Sequence, residues 1–179
     1  MLPKAESLAA LDSIASAATG DISILPQIET LRGLEAVPEL LSHRRARRAV
    51  FGHLDFALDL GAAPEWEALL YARSRLVALS RLAGVEPPIE SVTPEVSDEA
   101  RLRRDAEAAR KLGFTGKLLI HPAQVAPVSE VFRPSIQEVE WARRVLDIVA
   151  NVAAGAVAID GKMIDKPVEE AARRILARA

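Results

Sequence analysis

The sequence predicts a parallel α/β fold, and the alternation of its segments supports this prediction. Short apolar runs alternate with longer amphipathic stretches along most of the 179 residues. This alternation is typical of βαβ units, whose parallel strands need helical crossovers and cover on both faces. Neither standard nucleotide-binding fingerprint is present to support an open sheet. Periodicity therefore leaves two architectures, an open doubly wound sheet and a (β/α) barrel.

Five segments have the pattern of parallel strands. Residues 1–4 resemble the end of a strand, and two Pro residues interrupt the run at 87–92, which makes it the weakest candidate. The other three are short apolar runs bounded by polar residues or Gly, a pattern that indicates buried strands. These three runs are residues 22–28, 49–52 and 117–121.

Helical spacing of apolar residues fills the segments between these strands. In residues 6–18, for example, Leu8, Leu11 and Ile14 recur on one face of a predicted helix. The pattern predicts further helices, which connect or follow the strands. They cover residues 30–42, 64–83, 98–112, 135–153 and 167–177.

Composition excludes several classes of function. Half of the residues are hydrophobic, 27% are charged and the net charge is −2, so no nucleic-acid or membrane partner is expected. The absence of Cys excludes disulfides, thiolate nucleophiles and Cys-ligated metal sites. With no signal-peptide pattern and no apolar run of about 18 residues, we expect a cytoplasmic protein.

Two acidic residues come at the ends of consecutive predicted strands. Glu29 follows the strand at 22–28, and Asp55 follows the strand at 49–52. If those strands are neighbours they lie about 4.8 Å apart, so both carboxylates reach one cation, and Mg²⁺ suits such a pair. The alternative is structural, with Glu29 capping the next helix and Asp55 opening a turn.

Three further residues are candidates on position alone. His121 ends the strand at 117–121, where a packed or hydrogen-bonded role is the alternative to substrate binding. Lys117 begins the same strand and is either a substrate ligand or a solvated side chain. Asp165 closes the segment Asp160-Gly-Lys-Met-Ile-Asp165, which is otherwise a turn before the last helix.

Six motifs, in order along the chain, resemble the HpcH/HpaI aldolase/citrate lyase family, within its citrate lyase β-subunit and malyl- or citramalyl-CoA lyase branch. The motifs are Leu2-Pro-Lys-Ala-Glu-Ser, Ile28-Glu29-Thr30 with Gly33-Leu34, Phe51-Gly52-His-Leu-Asp55-Phe56, Leu112-Gly-Phe-Thr-Gly-Lys117, Ile120-His121-Pro122-Ala-Gln124, and Asp160-Gly-Lys-Met-Ile-Asp165. One such motif is weak evidence, whereas six in the same order are strong evidence.

The resemblance implies a TIM barrel that assembles into trimers and binds Mg²⁺ through Glu29 and Asp55. It implies cleavage or formation of a 3-hydroxyacyl-CoA thioester, with acetyl-CoA and a 2-oxo acid as the other partners. Asp165 matches an acid/base residue that reaches a neighbouring subunit's site, and His121 and Lys117 are expected to bind substrate. In citrate lyase itself the thioester sits on an acyl-carrier protein, so such a partner is also possible here.

The departures from the family pattern limit what is expected. A (β/α)₈ barrel needs about 250 residues, and the resemblance begins inside the family's fourth strand, so we expect a partial TIM (β/α)₈ barrel that lacks the first three strands. Residues 1–154 are predicted to form this partial barrel and 155–179 a C-terminal helical extension. No residue matches the family's substrate-binding arginine, and Glu90 stands where many relatives carry Asp. A non-catalytic remnant and a 2-oxo acid aldolase of the same superfamily are the alternative functions.

Overall fold

A computed structural model describes residues 1–151, 157–159 and 162–179. The described chain forms two compact units, Met1–Phe132 and Arg133–Ala179. The predicted boundary after residue 154 falls in the segment 152–156, outside the described residues, and stays a prediction.

The first unit is built on a parallel sheet whose strands follow one another in chain order. The strands are β1 (Gln27–Ile28), β2 (Val50–Phe51), β3 (Ile89–Glu90) and β4 (Gly116–Lys117). Their order is β1-β2-β3-β4, and each pairs in parallel with the next. Leu2 forms a further parallel bridge to Pro26, in agreement with the predicted strand end at residues 1–4. An unbroken parallel order is that of a barrel wall, because a doubly wound sheet reverses its order at a switch point.

Helices cover one face of this sheet and follow most of the predicted segments. They are α1 (Leu8–Ala17), α2 (Leu31–Glu35), α3 (Val37–Ser42), α4 (His53–Leu60), α5 (Leu70–Leu82), α6 (Glu99–Leu112) and α7 (Val125–Phe132), with a 3₁₀ turn at Pro122–Gln124. Thr30 caps α2 by accepting a hydrogen bond from the Gly33 N–H at 3.0 Å, and Asp98 caps α6 in the same way.

Three differences from the predicted elements have local causes. The helix predicted at 30–42 divides at Ala36, because Pro38 has no N–H to continue the ladder. The strand predicted at 117–121 pairs only at Gly116–Lys117, because its following residues turn away into the 3₁₀ turn. Helices α4 and α7 were not predicted, since each has only eight residues and little room for a periodic pattern.

The core of the first unit lies between the sheet and its helices. It contains large apolar side chains that are almost completely buried, among them Leu11, Ile28, Leu34, Phe51 and Phe56. Ile28 and Phe51 are register partners on β1 and β2, so both point to the same face of the sheet. Both belong to the core cluster that contains Leu34 and Leu76 of the helices, which identifies this face as the one that the helices cover.

The second unit contains two helices and a two-stranded antiparallel pair. Its elements are α8 (Ile136–Asn151), β5 (Val157–Ile159), β6 (Lys162–Ile164) and α9 (Lys166–Leu176). Ala142 and Val145 of α8 pack with Ala172 of α9 in a small core. Asp160 and Gly161 of the predicted Asp-Gly-Lys-Met-Ile-Asp motif lie outside the described residues. No helix in the described part of the chain is long and apolar enough to cross a membrane.

Candidate metal centre

Glu29 lies directly after β1 and is buried, with 6% of its surface exposed. Its carboxylate accepts two hydrogen bonds, one from the backbone N–H of Lys4 at 2.8 Å and one from the Gln27 amide at 2.7 Å. Both donors are neutral, so they orient the carboxylate without compensating its charge. Each carboxylate oxygen has two lone-pair sites, and one on each oxygen therefore remains for another ligand.

Gly52 makes the space that the Glu29 side chain occupies. A Cβ atom at position 52 would lie 2.4 Å from Glu29 Cγ and 2.8 Å from Glu29 Oε1, which no folded protein tolerates without movement. Gly52 also precedes α4, whose first turn carries Asp55. The motif Gly52-His-Leu-Asp55 thus leaves room for the Glu29 side chain and carries the Asp55 carboxylate.

Lys4 contacts both predicted metal ligands. Its backbone N–H donates to Glu29, and its ammonium lies 3.3 Å from a carboxylate oxygen of Asp55. Among the described residues, Lys4 is the non-glycine residue with a positive φ, at 46°. Such a backbone costs energy for an L residue and tends to occur at functional sites. Lys4 therefore links the ends of β1 and β2 through two different groups.

The donor set of this centre fits a hard divalent cation. One carboxylate follows β1 and the other lies in the helical turn that follows β2, and oxygen ligands are those that Mg²⁺ prefers. Within the described residues, no group of three or more His, Cys, Asp or Glu side chains is arranged to hold a metal. Mg²⁺ needs no such group, because one or two protein carboxylates commonly suffice when water and substrate oxygens fill the other positions.

A second polar cluster lies on the helix-covered face of the sheet. The Arg73 guanidinium of α5 forms a buried ion pair with Glu90 of β3 at 3.2 Å, and it stacks on the rings of Phe51 and Trp66. The Nη1 atom of Arg73 has no hydrogen-bond partner in the described structure. A cavity of about 270 Å³ borders this cluster. The pair ties α5 to the sheet behind the candidate metal centre.

Lys117 belongs to this second cluster. Its register partner is Glu90, so it points to the helix-covered face, opposite the face that carries Gln27. Its ammonium donates to the Ser91 carbonyl at 2.6 Å. Burial lowers the pKa of Lys117 to about 8, although the carboxylates of Glu90 and Asp105 act in the opposite direction. The structure therefore does not bring Lys117 to Glu29 and Asp55, and its role in substrate binding stays a prediction.

His53 joins the two regions, because it follows Gly52 at the start of α4. Its backbone N–H donates to the Ser91 hydroxyl at 3.1 Å, and its Nδ1 lies 2.7 Å from the same oxygen. Burial, with a smaller effect from the positive charge of Arg73, lowers the pKa of His53 to about 4. Ser91 thus fixes the helix start that carries Asp55.

His121 and Asp165 are both capping residues in this structure. The Nδ1 atom of His121 accepts from the Ala123 N–H at 3.1 Å and so begins the 3₁₀ turn. Asp165 caps α9 by accepting from the Val168 N–H at 3.1 Å, and it is exposed. Neither cap tests the predicted roles in substrate binding and proton transfer, which stay predictions.

The comparison with protein families decides where the chain belongs. A model of the HpcH/HpaI aldolase/citrate lyase family matches residues 2–122, a range that contains Glu29, Gly52, Asp55 and Lys117. The chain belongs to this family. The family's range ends within the first compact unit, so the match concerns the sheet and its covering helices.

Relatives in the HpcH/HpaI family carry names of CoA-related lyases and a thioesterase. A citrate lyase subunit beta-like protein from Deinococcus radiodurans is 37% identical over 87% of this chain and 56% of its own length. A (3S)-malyl-CoA thioesterase from Cereibacter sphaeroides is 32% identical over 100% of this chain and 64% of its own length. The chain thus spans less than two thirds of the length of both.

A solved structure of CitE from Mycobacterium tuberculosis, in complex with magnesium, acetoacetate and coenzyme A, has the same fold. It is 29% identical, has a TM-score of 0.84, and covers 99% of this chain and 67% of its own. The prediction of a partial TIM barrel is confirmed, since the chain matches a part of a longer protein of that fold.

Two residues that contact the candidate site and its neighbouring cluster, Lys4 and Arg73, are not predicted from the sequence. Lys4 stands in the motif Leu2-Pro-Lys-Ala-Glu-Ser, but nothing in its spacing indicates that it reaches both Glu29 and Asp55. Arg73 lies in an amphipathic helix, where an Arg is usually solvated. Its one sequence signal is its position among apolar residues of α5, in Leu70-Tyr-Ala-Arg73.

Proposed function

We propose that this chain carries the Mg²⁺ site of a carbon–carbon lyase that cleaves or forms a 3-hydroxyacyl-CoA thioester. The products of cleavage are acetyl-CoA and a 2-oxo acid, and an acyl-carrier thioester is an equivalent substrate. The observation that carries the proposal is that two carboxylates contact the same Lys4, Glu29 directly after β1 and Asp55 in the first turn of α4, which follows the adjacent strand β2. The magnesium, acetoacetate and coenzyme A of the similar CitE structure support it.

The chemistry needs one oxygen to change from a hydroxyl to a carbonyl as the carbon–carbon bond breaks. Glu29 and Asp55 would hold the Mg²⁺, which would supply the Lewis acid that polarises this oxygen. Glu29 is suited to this task because its donors orient it without compensating its charge. Asp165 would donate the proton that the enolate carbon of acetyl-CoA gains in cleavage, and would remove it in the reverse reaction. It would do so in the site of a neighbouring subunit of a trimer.

A second candidate is a subunit that binds the metal without turnover. The family match at residues 2–122 contains both proposed metal ligands, Glu29 and Asp55, and leaves Asp165, the proposed acid/base, outside. The two candidates share the metal site and differ in catalysis. One purified chain therefore tests both.

The first experiment measures Mn²⁺ binding by electron paramagnetic resonance, with Mg²⁺ as the competitor. Glu29→Gln and Asp55→Asn are expected to lose at least about tenfold in affinity, because each removes a charged ligand. Asp12→Asn, an exposed carboxylate of α1, is the control. Unchanged binding in both site variants would reject the centre.

The second experiment measures Mg²⁺-dependent release of acetyl-CoA from malyl-CoA and citramalyl-CoA. Release that is lost in Glu29→Gln supports the lyase. Metal binding without release from either thioester would favour the subunit that lacks turnover. Release that persists without any divalent cation would contradict the lyase mechanism.

A further inference from the structure

Lys4 combines an exposed side chain with a backbone conformation that is uncommon for any residue other than glycine. Its side chain is 62% exposed, yet its backbone adopts the left-handed region at φ 46°. The residues on either side are fixed to the sheet, since the Leu2 N–H donates to the Leu25 carbonyl at 2.9 Å and the Ala5 N–H donates to the Gln27 carbonyl at 3.1 Å. The left-handed turn between these bonds directs the Lys4 N–H to Glu29.

The contact between Lys4 and Asp55 is of a different kind from the contact with Glu29. The backbone bond to the buried Glu29 is short and neutral, whereas the ion pair to Asp55 joins two half-exposed side chains at 3.3 Å. Exposed ion pairs contribute little to stability, because water competes for both charges. The backbone of Lys4 is therefore fixed, while its ammonium is free to exchange partners.

The charges in the candidate metal centre indicate which group the Lys4 ammonium contacts once a divalent cation is bound. Glu29, Asp55 and Lys4 together carry a formal charge of minus one. A divalent cation between the carboxylates changes this formal charge to plus one. It also compensates the charge of Asp55, so the Lys4 ammonium is released from that carboxylate. The nearby carboxylates are engaged elsewhere, Glu6 with the Thr30 hydroxyl and Asp59 with the Leu31 N–H. A monoanion beside the cation restores neutrality.

We infer that Lys4 is the anion-binding residue of this centre, which pairs with Asp55 when the metal is absent and with the carboxylate of a 2-oxo acid when it is present. This inference rests on the proposed metal site. The chemical class follows from the groups present, since a 2-oxo acid offers one oxygen to a hard cation and a carboxylate to an ammonium. Lys4 thus determines specificity for an acidic substrate and has no bond-breaking role.

The test uses the whole chain and two separate binding measurements. Mn²⁺ affinity is measured by electron paramagnetic resonance, and pyruvate binding to the Mn²⁺-loaded protein is measured by calorimetry. We expect Lys4→Met to bind Mn²⁺ as tightly as the unchanged chain or more tightly, because a competing cation is gone. Its pyruvate affinity should fall by about tenfold or more, as expected for the loss of a charge-assisted contact.

Two further variants separate charge from folding. Lys4→Arg keeps the positive charge and should bind pyruvate within about threefold of the unchanged chain. Lys111→Met removes an exposed lysine of α6 and should change neither measurement. Thermal unfolding of each variant identifies a loss of binding that comes from misfolding, and Lys4→Gln then replaces Lys4→Met.

The outcomes distinguish this inference from the proposed function. Unchanged pyruvate affinity in a folded Lys4→Met that still binds Mn²⁺ would overturn the role of Lys4 and leave the metal site standing. Failure of the unchanged chain to bind Mn²⁺ would overturn both. Weaker Mn²⁺ binding in Lys4→Met would show that the ammonium supports the metal rather than competes with it, which also contradicts the inference.

Discussion

Gly52→Ala adds one methyl group next to Glu29 in the candidate metal centre, and the contacts of that group set the expected loss of stability and of metal affinity. The backbone at Gly52 has φ −118°, which alanine adopts without strain, so the consequence lies in the contacts of the new methyl group. That methyl group would lie 2.4 Å from Glu29 Cγ and 3.1 Å from the Gln27 amide nitrogen. Movement of the Glu29 side chain costs free energy, because the side chain is buried and accepts two hydrogen bonds.

The expected cost of Gly52→Ala is about 1–3 kcal/mol in the free energy of unfolding, the usual range for overpacking a filled site. Displacement of Glu29 should also weaken Mn²⁺ binding by about 10- to 100-fold, as changes next to a metal ligand commonly do. Urea unfolding followed by circular dichroism gives the first quantity. Electron paramagnetic resonance of Mn²⁺ gives the second.

Gly116→Ala is the matched control, since this glycine also lies on the sheet, in β4. A Cβ atom there meets nothing closer than Ile89 Cγ1 at 3.8 Å, an ordinary van der Waals contact. We expect no loss of stability and a gain of up to about 1 kcal/mol, because alanine restricts the unfolded chain. Equal effects of the two substitutions on stability and on Mn²⁺ affinity would refute the account of the Gly52 and Glu29 contact.

Three other predictions concern the remaining charged groups. Arg73→Met should cost about 3–5 kcal/mol in urea unfolding, because Glu90 is left buried without its partner; a cost below about 1 kcal/mol would contradict the buried pair. The folded-state pKa of Lys117, about 8, lies below its ordinary 10.5, so the unfolded chain binds more protons between these values. The free energy of unfolding should therefore rise with pH across that window, and Lys117→Met should remove this rise while Lys111→Met keeps it. Asp165→Ala should destabilise α9 by about 1 kcal/mol through loss of its cap, whereas Asp165→Asn should keep the cap and lose only proton transfer, which far-UV circular dichroism and acetyl-CoA release measure separately.

The parallel sheet could be predicted because its pattern is local. Each strand is a short apolar run followed by a helix, and every predicted strand of the first unit contains a paired residue in the structure. The candidate site followed from the same pattern, since Glu29 comes directly after one of these runs and Asp55 three residues after the next. Motif order then favoured the barrel over the open sheet, which periodicity alone did not do.

The contacts that complete the site could not be predicted, because they join residues far apart in sequence. Lys4 and Glu29 are 25 residues apart, and their bond depends on a left-handed turn that no sequence preference of Lys indicates. The pair of Arg73 and Glu90 spans 17 residues, from an amphipathic helix to a strand. The position of Lys117 beside Glu90 depends on the register between β3 and β4, which sets the face of the sheet to which a side chain points.

The identity of the hydrogen-bond partners separates a structural carboxylate from one that can bind a cation. Glu90 is 2% exposed and faces a guanidinium, so its charge is already compensated and a metal would have to displace a buried ion pair. Glu29 is nearly as buried, but its donors are a backbone N–H and an amide, and neither compensates the charge. Asp55 has a cation partner, but an exposed one that solvent can replace. Burial alone would select Glu90 as readily as Glu29, whereas charge compensation favours Glu29 and Asp55 as the proposed metal ligands and a structural role for Glu90.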